Sequence, residues 1–341
     1  MGSARGTRGP EDAPGACDGG VIGYEDVKRA AERIAGGVRP VTVAPVEDPD
    51  GGPMSFALEY LQHTGSFKMR GALNFTVAHR DAGEIPGAGV VIASGGNAGL
   101  ACALAAGRVG VPATVFVPET APAVKVARLR ALGARVEAVG REYAEAAGAA
   151  RHFAAETGAL ASHAYDHPLI AAGAGTLVEE ILAARPSVTT LVVAVGGGGL
   201  FAGVATAAAE HGLRVVAVEP EGARALGAAL EAGEPVDVPV ESVAADSLGA
   251  RRVSAEALRR ARSEHVRSVL VPDTEIVAAR RRLWTEHRIA VEFGAATALA
   301  APWSGVFRPE EGEEPCVVLC GANTDPADLS AVADPGVPTT P

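Results

Sequence analysis

The stretch Leu191-Val192-Val193-Ala194-Val195-Gly196-Gly197-Gly198-Gly199-Leu200 opens an uncharged run spanning residues 191–209. Two readings compete for it: a membrane-spanning helix, or a buried strand, a tight loop and a helix. The four consecutive glycines decide between them. Glycine weakens a helix interior, but it lets a loop backbone turn sharply and approach a ligand closely. The run therefore reads as strand, glycine loop and helix, the unit from which parallel α/β sheets are built.

The same pattern recurs on both sides of this run. Val90-Val91-Ile92-Ala93 leads through Ser94-Gly95-Gly96-Asn97 into an Ala/Leu helix. A strand over 114–117 precedes a proline-bounded turn and a helix through Leu132, and a strand over 135–139 precedes a long helix of Ala, Glu and Arg. Further strands are expected over 191–195, 214–218 and 316–319. Upstream, Tyr24–Ile34 reads as a short amphipathic helix and residues 46–53 as a loop rich in Pro, Gly and Asp. Ser66 reads as the N-cap of a helix running through His79. In such folds the crossovers are right-handed and ligands sit at the carboxyl ends of the strands. The glycine-rich loops fall there.

At 341 residues the chain has ample material for a core. It is 48% hydrophobic but only 4% aromatic, so that core must be built from Ala, Val and Leu. A net charge of −11 argues against nucleic acid or an anionic membrane surface as partner. It does not repel zwitterions such as amino acids. The cysteines Cys17, Cys102, Cys316 and Cys320 form no CxxC pair or zinc-type cluster, so neither a disulfide framework nor a structural metal is expected, which favours a cytoplasmic location. Residues 1–20 lack an apolar signal core and read as a disordered leader; residues 331–341 read as a disordered tail, with no regulatory domain expected after position 326.

Chemistry enters with Thr64-Gly65-Ser66-Phe67-Lys68-Met69-Arg70-Gly71-Ala72. Lys28, Lys68 and Lys125 are the only lysines, so arginine fills 27 of the 30 basic positions. Arginine stays protonated, whereas a desolvated lysine can become a neutral nucleophile. Lys68 is accordingly a candidate amine, with an ordinary surface cation as the alternative. The loop Gly196 to Gly199 offers free amides and a helix N-terminus suited to a phosphate. No Walker lysine accompanies it, which disfavours a P-loop NTPase. Gly197-x-Gly199-x-x-Ala202 also fits a dinucleotide fingerprint, with Glu219 spaced for a ribose contact. The loop Ser94 to Gly99 can hold a carboxylate on its amides beside the side chain of Asn97, or can be a structural turn. In Leu319-Cys320-Gly321-Ala322-Asn323, Cys320 reads by itself as a buried thiol.

Taken in order, SFKMRGA, SGGN, VGGGGL and CGAN resemble the fold-type II pyridoxal-phosphate enzymes. The resemblance is to the threonine/serine dehydratase branch, which also includes serine racemase, and it covers residues 39–326. It implies a tryptophan synthase β-like α/β fold: two open, twisted, mostly parallel sheets flanked by helices, with the cofactor in the cleft between domains. Residues 21–88 and 166–330 would form the large cofactor-binding domain and 89–165 a small substrate-closing domain. Members are commonly dimeric, so a homodimer is expected.

The resemblance also implies roles. Lys68 would hold pyridoxal 5'-phosphate covalently and, once freed, act as the base at Cα. Phe67 would pack against the cofactor ring; Gly196, Gly197, Gly198 and Gly199, with Leu200, would hold its phosphate. Asn97 would contact the ring 3-oxygen, Glu292 would lie near the ring, and Ser94, Gly95 and Gly96, with Asn97, would receive the substrate carboxylate. Cys320 falls where the family usually has Ser facing the pyridine nitrogen. A neutral thiol there weakens the electron sink and suits elimination over transamination.

The implied activity is dehydration and deamination of L-threonine or L-serine to a 2-oxo acid and ammonia. The alternative is β-replacement on a Ser/Thr-like or activated amino acid; an intact Lys68 and phosphate loop argue against a non-catalytic scaffold. Departures from the family stand at Ala98, where His is frequent, at Ala174, where Gln is common, and at Ala57, where relatives often carry Lys. Gly95 stands where serine racemase has Ser, so racemisation is expected to be weak. Glu219 and Ala223 match a family cation site, but Ala225 replaces an acidic ligand, and no metal is expected.

Overall fold

A computed structural model describes residues 21–48, 52–325 and 327–330. The expected leader and tail, and Cys17 with them, lie outside the described residues.

Among the described residues ten strands form two sheets. In chain order they are β1 Val43–Asp48, β2 Gly52–Ala57, β3 Val90–Ala93, β4 Ala113–Val117, β5 Arg135–Ala138, β6 Leu160–Ala161, β7 Thr190–Ala194, β8 Arg214–Pro220, β9 Val266–Val271 and β10 Pro315–Val318. The larger sheet has the order β1-β2-β10-β7-β8-β9 and the smaller one β5-β4-β3-β6. Every pairing is parallel except the β1–β2 hairpin. The valine-rich β7 is buried along its whole length, as a central parallel strand covered by helices on both faces must be. The expected α/β class and parallel sheets are found. None of the described helices is long and apolar enough to cross a membrane.

Small residues let the helices over the larger sheet approach closely. A Cβ on Gly173 would lie 2.7 Å from the Arg70 carbonyl oxygen, so the helix Pro168–Gly175 packs backbone to backbone on the helix Lys68–Asp81. That contact fixes the segment whose first residue is Lys68.

Three expectations need correction. The loop placed over 46–53 is largely a hairpin, in which Val46 pairs with Met54 and Ser55 to Ala57 pair onward with β10. Burying Met54, Phe56 and Ala57 outweighs the glycine and proline signals there. β6 and β9 were not anticipated: β6 has only two residues, and β9 is an edge strand with partly exposed positions. Ser66 does not cap the following helix. It is extended and bridges Gly321, and Phe67 takes the cap position of Lys68–Asp81 without a side-chain bond. The helix Tyr24–Ile34 has the expected bounds.

Candidate active site

Loops from both sheets converge on Lys68. The chain before it is stitched to the end of β10: Phe67 N donates to Cys320 O (2.9 Å), and Ser66 bridges Gly321. Lys68 Nζ donates to the Ala164 carbonyl (2.6 Å) and lies 4.8 Å from the centre of the Phe67 ring. Burial lowers its pKa to about 8, and the nearby Cys320 and Glu292 only partly counter this. Two residues on, Arg70 is fully buried. It donates from Nε to Glu59 Oε1 (2.6 Å) and from Nη1 to Glu180 Oε1 (2.7 Å) and Thr176 Oγ1 (3.1 Å). This ion cluster anchors the first turn of the lysine helix to the preceding turn and to the helix Leu177–Ala184.

Asn97, Glu292 and Cys320 gather on the same side. Asn97, first residue of the helix Asn97–Arg108, donates from Nδ2 to both Glu292 oxygens (2.9 and 3.0 Å). Glu292 is only 8% exposed, so it is not a solvated helix carboxylate; burial raises its pKa while the Asn97 bonds work against the rise. Burial likewise pushes the Cys320 thiol far above its ordinary range, so it stays protonated. Ser94, Gly95 and Gly96 link β3 to the Asn97 helix. A Cβ on Gly96 would meet nothing within 4 Å, and one on Gly95 would lie 3.3 Å from Val117 Cγ1.

The glycine loop follows β7. Gly198 has φ +92°, and the first bond of the helix Gly199–Glu210 runs from Ala202 N to Gly198 O (2.8 Å). The amides of the first turn therefore have no partner inside the helix and are available to an anion. Leu200 is buried in the core beside them. A Cβ on Gly197 would collide with the Tyr165 ring, and one on Gly199 would lie 2.7 Å from the Tyr165 carbonyl. Adjacent residues thus place the two halves of the site: Ala164 holds Lys68, and Tyr165 supports the glycine loop. Sequence reasoning missed this pair because neither residue carries a local signal, and it gave Arg70 of SFKMRGA no role because its partner Glu180 lies 110 positions away. His167, which caps Pro168–Gly175 through Leu169 N (3.1 Å), marks only a helix start.

The dinucleotide reading fails at Glu219. That carboxylate is fully buried and accepts the amides of Leu226 (2.7 Å) and Gly227 (2.8 Å) at the start of the helix Ala225–Ala232. Burial raises its pKa to about 7. Lying on β8, it is engaged with the amides of the helix that follows and is not free to bind a ribose. Among the described residues no group of three or more His, Cys, Asp or Glu side chains is arranged to hold a metal ion.

The set fits a phosphorylated aldehyde of the kind the resemblance implies. It offers an amine with a lowered pKa, free helix amides for a phosphate, and a protonated thiol. It also leaves the fully buried Ser66 Oγ without a partner within the protein.

Comparison with known proteins agrees with this chemistry. The family model described as pyridoxal-phosphate dependent enzyme matches residues 35–321. The chain is 38% identical over 288 residues to an L-threonine ammonia-lyase of Geobacter sulfurreducens, covering 84% of this chain and 71% of that one. It is 38% identical over 287 residues to a human serine dehydratase-like protein, covering 80% and 86%. The structure of maize serine racemase superposes with a TM-score of 0.84 at 30% identity, covering 91% of this chain and 96% of that one.

Proposed function

Since the chain belongs to the pyridoxal-phosphate dependent enzyme family, we propose that it is an ammonia-lyase converting L-threonine or L-serine to a 2-oxo acid and ammonia. The observation that carries this is the placement of Lys68, its pKa lowered to about 8, beside the buried thiol Cys320 and the carboxylate Glu292. Pyridoxal 5'-phosphate would be held by Lys68, by the amides of Gly196 to Gly199 and Leu200, by Asn97 and by Phe67. When bound there it supplies the electron sink that acidifies Cα.

The chain's own groups do the rest. Lys68 Nζ takes the Cα proton. The amides of Ser94 to Gly96 orient the substrate carboxylate. Cys320, kept as a thiol by burial, would offer a bound cofactor's ring nitrogen only a weak donor, which would suit loss of the β-hydroxyl over transamination. The water lost at Cβ is regained when ammonia leaves, so substrate gives 2-oxo acid and ammonia in equal amounts.

In this reading residues 21–88 and 166–330 hold the cofactor, and 89–165 close over the substrate. The separate sheet formed by β3 to β6, all within 89–165, supports that division. The enzyme works as a cytoplasmic homodimer, a placement in keeping with the free, buried Cys102, Cys316 and Cys320. Incubating the cofactor-loaded protein with each amino acid and quantifying ammonia and 2-oxo acid tests the function. Equal yields from one of them are expected; no 2-oxo acid from either would overturn the proposal.

A further inference from the structure

Four side chains form an unbroken hydrogen-bond chain from the surface to the residues around Lys68. Arg128, exposed on the helix Ala123–Ala131 beside the smaller sheet, donates from Nη2 to Asn323 Oδ1 (2.6 Å). Asn323 Nδ2 donates to the Thr64 carbonyl (2.7 Å) and to Asn97 Oδ1 (2.6 Å). Asn97 Nδ2 in turn faces both oxygens of Glu292.

The polarity of this chain is forced. A guanidinium has no acceptor and a backbone carbonyl has no donor, so Arg128 and Thr64 together leave Asn323 one amide orientation. With Asn323 donating, Asn97 must present its oxygen to it and turn its NH2 to Glu292. The backbone is shaped to the same end. Thr64 has φ +66°, a conformation unfavourable for a β-branched residue, and its carbonyl is met there by Asn323. The chain also crosses between the two sheets, because Arg128 and Asn97 lie with the smaller one while Asn323 and Glu292 lie with the larger. Lys125, on the same helix as Arg128, makes a second crossing to Asp246 (2.6 Å).

We propose that Arg128 and Asn323 are positioning residues, which fix the Asn97 amide when the Ala123–Ala131 helix seats against the larger lobe. This rests on the reading that Asn97 faces the cofactor ring. A small movement of an exposed helix thereby becomes a change in which atom of Asn97 the ring meets.

Three variants of the cofactor-loaded enzyme test the relay: Asn323→Asp, Arg128→Met and Arg128→Lys. Asn323→Asp keeps the shape but removes the donor, so the Asn97 amide should turn. It should shift the visible absorbance of the bound cofactor and lower kcat about tenfold with little change in KM. Arg128→Met should move both readouts in the same direction by less, and Arg128→Lys, which restores a donor, should recover the wild-type spectrum. Arg128 is exposed, so its variants should melt like the wild type and decide the matter even if Asn323→Asp folds poorly. Wild-type spectrum and kcat in Arg128→Met and Asn323→Asp would overturn the relay. If instead the wild-type spectrum is unaffected by Lys68→Ala, the reading of the site itself falls, and the relay with it.

Discussion

Lys68 shows why this chain, so rich in arginine, keeps a lysine in its core. A guanidinium there could not release a proton, whereas burial brings Lys68 to about 8. Cofactor uptake by the apoprotein needs the neutral amine, so its rate should climb as pH rises through about 8 and then level off. Stopped-flow absorbance measures this, and a rate independent of pH would contradict the assignment. At Gly95 a Cβ would lie 3.3 Å from Val117, so Gly95→Ser should fold after a slight shift. It should also gain serine racemisation, read by chiral chromatography; no gain would remove the explanation offered for a dedicated lyase. Lys68, the glycines and Asn97 could be singled out in the sequence because they sit in short motifs. Tyr165 and Asn323 act through partners far along the chain, and their roles emerge only when the chain is folded.

Among the elements, the helix Lys68–Asp81 is held by Arg70 in addition to apolar packing. Removing its charge in Arg70→Met would leave Glu59 and Glu180 facing each other, with Glu59 already raised by burial. Breaking a buried ion pair in this way costs about 3–5 kcal/mol. Denaturant unfolding should show a loss of that order together with weaker cofactor binding, and an unchanged midpoint would show that the cluster does not anchor the helix. The strand–loop–helix units around β3 and β7 were legible because an apolar run, a glycine turn and an alanine-rich helix are each short-range signals. The β1–β2 hairpin was not. Its pairing with β10 brings together segments from opposite ends of the chain, and its glycines and prolines point locally to a loop. Ser66 misled for a related reason, since its backbone is committed to Gly321.

Across the whole molecule, acid should act through His167. Burial, with His79 and His163 adding to it, lowers its pKa from 6.5 to about 4. Between those values the unfolded chain binds a proton that the folded one refuses, so this contribution is complete above about 6.5 and is lost as pH falls toward 4. Glu219, raised to about 7, acts in the opposite sense: its contribution is present at low pH and is lost as pH rises through 7. A variant comparison isolates the histidine. His167→Asn keeps a side-chain cap for Pro168–Gly175, and on acidification the wild type should lose more melting temperature than the variant; parallel curves would contradict this. The fold class was legible from repeated units, while the strand orders and the meeting of the two sheets' loops depend on long-range packing. The proposed role of Lys68 underlies the whole mechanism. Its most direct test is the visible spectrum of the wild type and of Lys68→Ala, each supplemented with pyridoxal 5'-phosphate and titrated with L-threonine and L-serine while ammonia is assayed in the same cuvette. The wild type should show a bound-cofactor band that shifts as ammonia appears, and Lys68→Ala should show neither; a Lys68→Ala protein with full turnover would contradict the account.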